Sequence, residues 1–154
     1  MAAMQPPVTF QLALPDDLET LLEAVRRYYE EDHIPFDTAP VCLALARLLA
    51  EPALGRAFFL VAKAGERAGY LVFTFGFDHE VGGPLATVTD LFIEPEHRRK
   101  GLARAALQFV AGTCRALGVR SLELQPEAHN AAGRALYEAC GFRVRDRVPM
   151  FLPL

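Results

Sequence analysis

Hydrophobic residues recur at helical spacing over the first third of the chain. Residues 8–14 alternate and predict a short strand, and a first helix is predicted from about residue 18 to Glu31. A second helix is predicted to begin near residues 37–40 and to stop at Pro52, because proline lacks the N–H that a helix needs. The apolar positions of the two helices are Leu18, Leu21, Leu22 and Val25, then Leu43, Leu45, Leu48 and Leu49.

The middle of the chain is dense in Phe, Val and Tyr, which favour strands. Residues 56–64, 68–77 and 84–94 predict three successive strands, separated by turns at residues 65–67 and 78–83. Strands joined by such short connections usually pair with their neighbours, so an antiparallel meander is expected.

The last third alternates between helix and strand. Residues 101–117 predict a long helix that ends at Gly118, and residues 128–140 predict another that ends at Gly141. Strands are predicted at residues 119–125 and at 142–152, the latter interrupted by a proline. The element order β-α-α-β-β-β-α-β-α-β favours an α/β fold, a mixed sheet with helices on both faces, in a single domain over residues 1–154.

The connection between the third meander strand and the long helix has an unusual composition. The first backbone N–H groups of a helix have no partner within it, and they lie at the positive end of the helix dipole. Gly101 and Ala103 are small enough to let an anion reach that backbone. Four cations surround them: Arg98, Arg99, Lys100 and Arg104. The segment therefore predicts a site for a phosphorylated ligand.

Composition narrows the class of ligand. The formal net charge is −3 and the pI is about 5.8, so the basic segment is a local exception that suits one small anion better than a nucleic acid. Three cysteines without metal or redox spacing predict a reduced, cytoplasmic protein with no metal site. No apolar run is long enough to cross a membrane, and residues 1–7 lack the features of a secretory signal.

Two motifs in this order resemble the GNAT superfamily of N-acetyltransferases. The first is Arg98-Arg99-Lys100-Gly101-Leu102-Ala103, which resembles the signature for acetyl-CoA. The second is Asn130, followed by Ala135-Leu136-Tyr137-Glu138-Ala139-Cys140-Gly141-Phe142. The resemblance implies the GNAT fold from about residue 8 to 152 and acetyl-CoA as cofactor.

The stretch at residues 69–78, with the strand end at residues 90–93, looks nearest to the diamine (spermidine/spermine) acetyltransferase type. Those enzymes carry a carboxylate just before the aspartate of that strand, whereas this chain has Thr89. That departure puts a polyamine substrate in doubt.

The resemblance also implies how acetyl-CoA is held. Backbone N–H groups from Arg99 to Arg104, Leu102 included, would wrap the pyrophosphate, and the basic side chains would screen its charge. Backbone groups of Leu91, Phe92 and Ile93 would bind the pantetheine arm, and an N–H near Ile93 would stabilise the oxyanion. Asn130 would bridge a pantetheine amide or cap the last helix.

For catalysis, the resemblance makes Tyr137 the general acid that protonates the departing thiolate. Asp90 is the candidate base. Thr89 and Asp90 would face opposite sides of a regular strand, so a bulge is needed to bring both into one site. Thr89, Glu30 and Glu31 are the candidates for contact with the acceptor amine, and Asp32 is a further acid in the same region.

The leading hypothesis is direct acetyl transfer from acetyl-CoA to a primary amine of a small molecule, without an acyl-enzyme, since no paired Cys–His pattern is present. Acetylation of a peptide or protein amine and a non-catalytic acyl-CoA-binding regulatory domain stay open. A nucleotide-binding loop ranks last, because Ser or Thr should follow Gly-Lys and the chain has Lys100-Gly101-Leu102. Relatives of this type are often homodimers, and the aromatic hairpin is a candidate surface.

Overall fold

The computed structural model describes residues 8–154, so the prediction about the first seven residues lies outside its range. The strands are β1 Val8–Leu12, β2 Gly55–Ala62, β3 Arg67–Asp78, β4 Gly83–Ile93 and β5 Ser121–Leu124. The helices are α1 Leu18–Glu31, α2 Thr38–Ala50, α3 Leu102–Ala116 and α4 Ala131–Ala139. Single turns of 3₁₀ helix occupy Pro15–Asp17 and Pro95–His97.

The five strands form one sheet in the order β1-β2-β3-β4-β5. The first four pair antiparallel with their neighbours, while β5 runs parallel to β4 after the crossover through α3. The predicted mixed sheet is therefore confirmed, and so is the order of its elements as far as α4.

Helices cover both faces of this sheet, as predicted. One face packs on α3 through a core that includes Leu71, Phe73 and Val110. The other face packs on α1 and α2 through a core that includes Leu21 and Tyr70. Strand residues alternate between these two cores, because successive side chains point to opposite faces of a sheet.

The predicted last strand, residues 142–152, is wrong. This segment follows α4 without strand pairing, and its large apolar side chains, such as Val148 and Phe151, are exposed. Pro149 lacks an N–H for a ladder, and Arg145 and Arg147 form ion pairs with Glu123 and Glu80 instead. An apolar run can show strand character locally, but it does not supply the edge on which a strand must pair.

Two irregularities in β4 shape the site. The pairing of β3 with β4 shifts by one residue, so that Val72 pairs with Asp90 and Phe73 with Val88, which leaves Thr89 as an extra, bulged residue. In addition, β5 pairs with β4 only from Leu85 to Val88, whereas β4 continues to Ile93. The sheet therefore opens beside residues 89–93 of β4.

None of the helices found between residues 8 and 154 is long and apolar enough to cross a bilayer.

The core beneath α1 should be sensitive to a loss of volume. Leu21 is fully buried, so Leu21→Ala should lower the free energy of unfolding by about 2–5 kcal/mol through lost burial and an unfilled cavity. Chemical denaturation measures this change. Leu43→Ala is the matched control on α2, since Leu43 is 73% exposed and its truncation should change stability little. Equal losses for the two variants would contradict the packing described here.

Candidate active site

The turn between β4 and α3 has a backbone suited to binding an anion. Arg99 and Gly101 both have positive φ, at +61° and +80°, and Gly101 occupies the N-cap position of α3 without a capping side chain. Residues with left-handed backbone next to right-handed ones turn successive N–H groups towards one side and form a concave nest. Glycine tolerates this conformation without strain, whereas Arg99 adopts it at some cost, which is common at binding sites.

Six consecutive backbone N–H groups of this turn, those of residues 99–104, donate to no protein acceptor within residues 8–154. The first paired donor of the helix is the N–H of Ala105, which bonds to the carbonyl of Gly101 at 3.0 Å. Such free donors at the positive end of a 15-residue helix can bind a phosphate group.

The four basic side chains of the turn have different surroundings. Arg98 is held in place: its Nε donates to the carbonyl oxygen of Ile93 at 2.8 Å, and its Nη2 lies 2.6 Å from Oε1 of Glu31. Lys100 Nζ donates to the carbonyl oxygen of Glu96. Arg99 and Arg104 are exposed and make no ion pair with any residue from 8 to 154, so their charges are available to a ligand.

The open edge of β4 presents backbone groups next to this turn. The N–H of Glu94 bonds to the carbonyl of Ala68, and hydrogen-bonded pairs alternate along an antiparallel ladder. Phe92 therefore directs its backbone towards β3, while Leu91 and Ile93 direct theirs towards the edge that β5 has left. The side chain of Phe92 packs in the core beneath α1. The open edge can accept an extended, amide-containing chain in the manner of an added strand.

The bulge brings Thr89 and Asp90 to one cavity, as the sequence analysis required. Both residues line a cavity of about 290 Å³ between α1, α2 and the sheet. Tyr70 is fully buried on β3 and donates its hydroxyl to Oδ2 of Asp90 at 2.8 Å. The Thr89 hydroxyl donates to the carbonyl oxygen of Val72 at 3.4 Å.

Burial raises the pKa of the Asp90 carboxyl above its ordinary value, while the neighbouring hydroxyls of Tyr70 and Thr89 act in the opposite direction. A carboxylate made more basic in this way is better suited to accept a proton from an ammonium group near neutral pH. Burial, followed by the charge of Asp90, raises the pKa of Tyr70, which therefore stays a donor at any physiological pH.

Tyr137 lies on α4, half-buried, with its ring edge-on to Phe142 at 6.2 Å between centroids. Burial and the nearby charge of Asp32 raise the pKa of its hydroxyl, so the group is protonated at neutral pH. Tyr28 of α1 packs edge-on against Tyr70, with 6.5 Å between the ring centroids. Burial raises the pKa of Tyr28, and the charges of Asp90 and Asp32 raise it further.

Asn130 caps α4, with its side-chain oxygen accepting from the N–H of Gly133 at 2.8 Å. The capping role is one of the two that the sequence offered. The side chain is exposed, and its other polar atom is free to meet a ligand.

The acids predicted to bind the acceptor lie outside the cavity that contains Asp90. Glu30 pairs with Arg26 at 2.9 Å, and Glu31 pairs with Arg98. Both carboxylates are exposed, and neither lines the cavity that contains Asp90. Opposite charges therefore already compensate these two side chains.

Sequence reasoning missed Tyr70, Tyr28 and the cavity-lining residues of α2. In the sequence Tyr70 is one aromatic among many in a strand of apolar residues. Its link to Asp90 spans 20 positions and depends on the register of β3 with β4. Only the residues within the two motifs could be identified as functional candidates from their neighbours in the sequence.

Known acetyltransferases are similar to this chain in sequence. The model of the acetyltransferase (GNAT) family matches residues 18–142. A ribosomal protein bS18 alanine N-acetyltransferase of Escherichia coli (strain K12) is 40% identical over 57 residues, which are 37% of this chain and 38% of that relative's length. The chain therefore matches well under two thirds of that curated relative. An aminoglycoside N(6′)-acetyltransferase type 1 of Stenotrophomonas maltophilia is 29% identical over 104 residues, 65% of this chain and 68% of that protein.

Solved structures extend the likeness to the whole fold. An integron cassette protein from the mobile metagenome of Cole Harbour Salt Marsh has a TM-score of 0.82 at 32% identity, covering 94% of this chain and 90% of its own. An aminoglycoside N-acetyltransferase, AAC(6′)-Iy, in complex with CoA, has a TM-score of 0.78 at 16% identity, covering 99% of each chain, which is a likeness of fold. The diamine type is not specifically supported by these relatives. Since the family model covers well over half of its residues, this chain belongs to the acetyltransferase (GNAT) family, whose members use acetyl-CoA.

Proposed function

We propose that this protein is an N-acetyltransferase that moves an acetyl group from acetyl-CoA directly to a primary amine of a small molecule, in a ternary complex. One observation carries the proposal: a turn with six unpaired N–H groups adjoins an open strand edge, and that edge leads to the cavity of Asp90. The turn that would bind phosphates, the extended groove and the cavity with its acid follow one another in space. This arrangement suits a long phosphorylated thioester and a separate acceptor.

The chain's own residues would hold acetyl-CoA in three places. The N–H groups of residues 99–104 and the charges of Arg99 and Arg104 would bind its phosphates. Leu91 would pair with its pantetheine amides, and Asn130 would meet the same arm from α4. Arg98 would act mainly by holding the turn in place, because Ile93 and Glu31 already occupy its guanidinium.

The bound thioester supplies an activated acyl carbon. Asp90 would accept a proton from the acceptor's ammonium group, so that the neutral amine can attack. The Ile93 N–H would donate to the carbonyl oxygen as it gains charge. Tyr137 would give its phenolic proton to the sulfur. One C–N bond forms and one C–S bond breaks. The overall products are an amide, CoA thiol and one proton released to solvent.

A second candidate function is acetylation of a protein's N-terminal amine. The identity with a ribosomal protein alanine N-acetyltransferase favours it. The position of Asp90 in a small cavity between two helices and the sheet favours the small molecule. A homodimer and a cytoplasmic location stay predictions from the sequence. Most rings of the aromatic hairpin are at least partly buried, with Phe77 exposed, and sedimentation velocity would establish the assembly.

Reversing two charges at the turn should weaken cofactor binding. In Arg99→Glu/Arg104→Glu we expect the Kd for acetyl-CoA to rise at least about tenfold, roughly 1.4 kcal/mol, because carboxylates would face the phosphates. Isothermal titration at two salt concentrations measures this, and the loss should shrink as salt screens the charges. Arg115→Glu, at the far end of α3, is the control. Unchanged affinity in the double variant would contradict the phosphate site.

Removing the hydroxyl of Tyr137 should slow turnover without weakening the cofactor complex. We expect Tyr137→Phe to lower kcat about a hundredfold, as is typical for loss of a general acid, with an unchanged Kd for acetyl-CoA. Thiol release measures kcat. Cys140→Ala is the matched control within α4 and should keep full activity. A fully active Tyr137→Phe variant would remove this residue from the mechanism.

Tyr70 should act through the basicity of Asp90. Its hydrogen bond stabilises the charged carboxylate, so Tyr70→Phe should raise the pKa of Asp90 further. Because the base works only when deprotonated, the acidic limb of the kcat/KM profile should move to higher pH. Tyr28→Phe is the control, since the Tyr28 hydroxyl makes no hydrogen bond with Asp90 in the described chain. An unmoved limb in Tyr70→Phe would argue that Asp90 is not the base.

A further inference from the structure

The cavity that contains Asp90 is small and mostly apolar. Its volume of about 290 Å³ lies at the lower end of the roughly 300–1,000 Å³ that small-molecule sites usually span. The sheet forms its floor, and α1 and α2 form its walls. The apolar lining consists of Val25, Val41, Ala44, Leu45, Leu48 and Val72. Surfaces of this kind favour an alkyl or aryl group through the removal of apolar area from water.

A single carboxylate, that of Asp90, lines this cavity. Asp90 accepts a hydrogen bond from Tyr70, but it has no cationic partner within residues 8–154. A partly buried carboxylate in apolar surroundings is costly unless a cation or several donors compensate its charge. One ammonium group entering from the cavity would supply that cation and a charge-assisted hydrogen bond.

Other acids near the site are either paired or do not line the cavity. Arg26 and Arg98 neutralise Glu30 and Glu31 at the end of α1. Neither Asp32 nor Glu127 lines the cavity. Tyr29, which does line the cavity, has its pKa raised by burial and by Asp90 alone. A second ammonium group would therefore enter an apolar cavity without a free carboxylate.

We infer that the acceptor is a primary monoamine on a compact apolar body, alkyl or aryl, whose ammonium group binds Asp90 while its body fills the cavity between α1 and α2. This inference rests on the proposed function and narrows its substrate class. Diamines and aminoglycosides carry further cations that the cavity does not compensate. A peptide N-terminus carries a polar backbone into walls that offer few hydrogen-bonding groups.

A matched panel of amines tests the substrate class. The panel consists of propylamine, hexylamine, 2-phenylethylamine, 1,4-diaminobutane, kanamycin and an alanine-initiated hexapeptide, each assayed by thiol release from acetyl-CoA. We expect kcat/KM to rise at least about tenfold from propylamine to hexylamine, because the added methylenes enter the apolar cavity. We expect 2-phenylethylamine to exceed 1,4-diaminobutane by a similar factor. Higher kcat/KM for the diamine, kanamycin or the peptide would overturn the inference while leaving the acetyltransferase function standing.

Binding separates this inference from the proposed function. Calorimetric titration of hexylamine and of 1,4-diaminobutane into the protein with saturating CoA needs no turnover. Tighter binding of hexylamine supports the inference even if no amine in the panel releases thiol, an outcome that would count against the proposed function. If hexylamine binds no more tightly than 1,4-diaminobutane, the inference is overturned.

A pair of variants tests whether the cavity itself selects the amine. Ala44 lines the cavity at its exposed mouth, so Ala44→Phe should narrow it and lower kcat/KM for hexylamine at least about tenfold relative to propylamine. Leu43→Phe is the control: the side chain is exposed on the same helix and does not line the cavity, so it should leave the ratio unchanged. An unchanged ratio in Ala44→Phe would overturn the assignment of this cavity to the acceptor.

Discussion

Strand β4 continues past its neighbour β5, and the site depends on this difference in length. Pairing with β5 ends at Val88, while β4 runs on to Ile93 in its pairing with β3. The backbone groups along residues 89–93 would otherwise complete a ladder, and they face an open groove instead. At the start of this stretch the bulge at Thr89 turns two neighbouring side chains into one cavity. The groove and the cavity that contains Asp90 thus arise from two departures from regular pairing in one strand.

One side chain, that of Arg98, links the far end of the same strand to the turn between β4 and α3. Arg98 bonds to the Ile93 carbonyl and to Glu31, so the end of β4, the start of α3 and the end of α1 meet at a single guanidinium. The pair with Glu31 is exposed and contributes little to stability by itself. Its structural effect is to keep a turn with free N–H groups in place while Arg99 and Arg104 stay available to an anion. Arg98 thus positions the turn, while its neighbours Arg99 and Arg104 supply positive charge.

Sequence patterns predicted the elements well where each was defined by its own residues. Helical spacing of leucines in α1 and the strand-forming residues of β2 to β4 are local signals, and their bounds agree with the structure within a few residues. The predicted strand at residues 142–152 failed because a strand also needs a partner edge, and there Arg145 and Arg147 pair with acids instead. The prediction for Glu30 and Glu31 had the same weakness, since composition did not identify the arginines with which they pair.

The sequence by itself determined the family and the composition of the turn before α3, because both are written in contiguous residues: small residues at a helix start, basic neighbours and a following Asn–Tyr motif. Only the tertiary structure decided what surrounds Asp90. The Tyr70–Asp90 hydrogen bond, the bulge at Thr89 and the apolar walls from α1 and α2 join residues that lie far apart in the chain. Their contacts depend on strand register and helix packing, and these are properties of the assembled sheet rather than of any one segment.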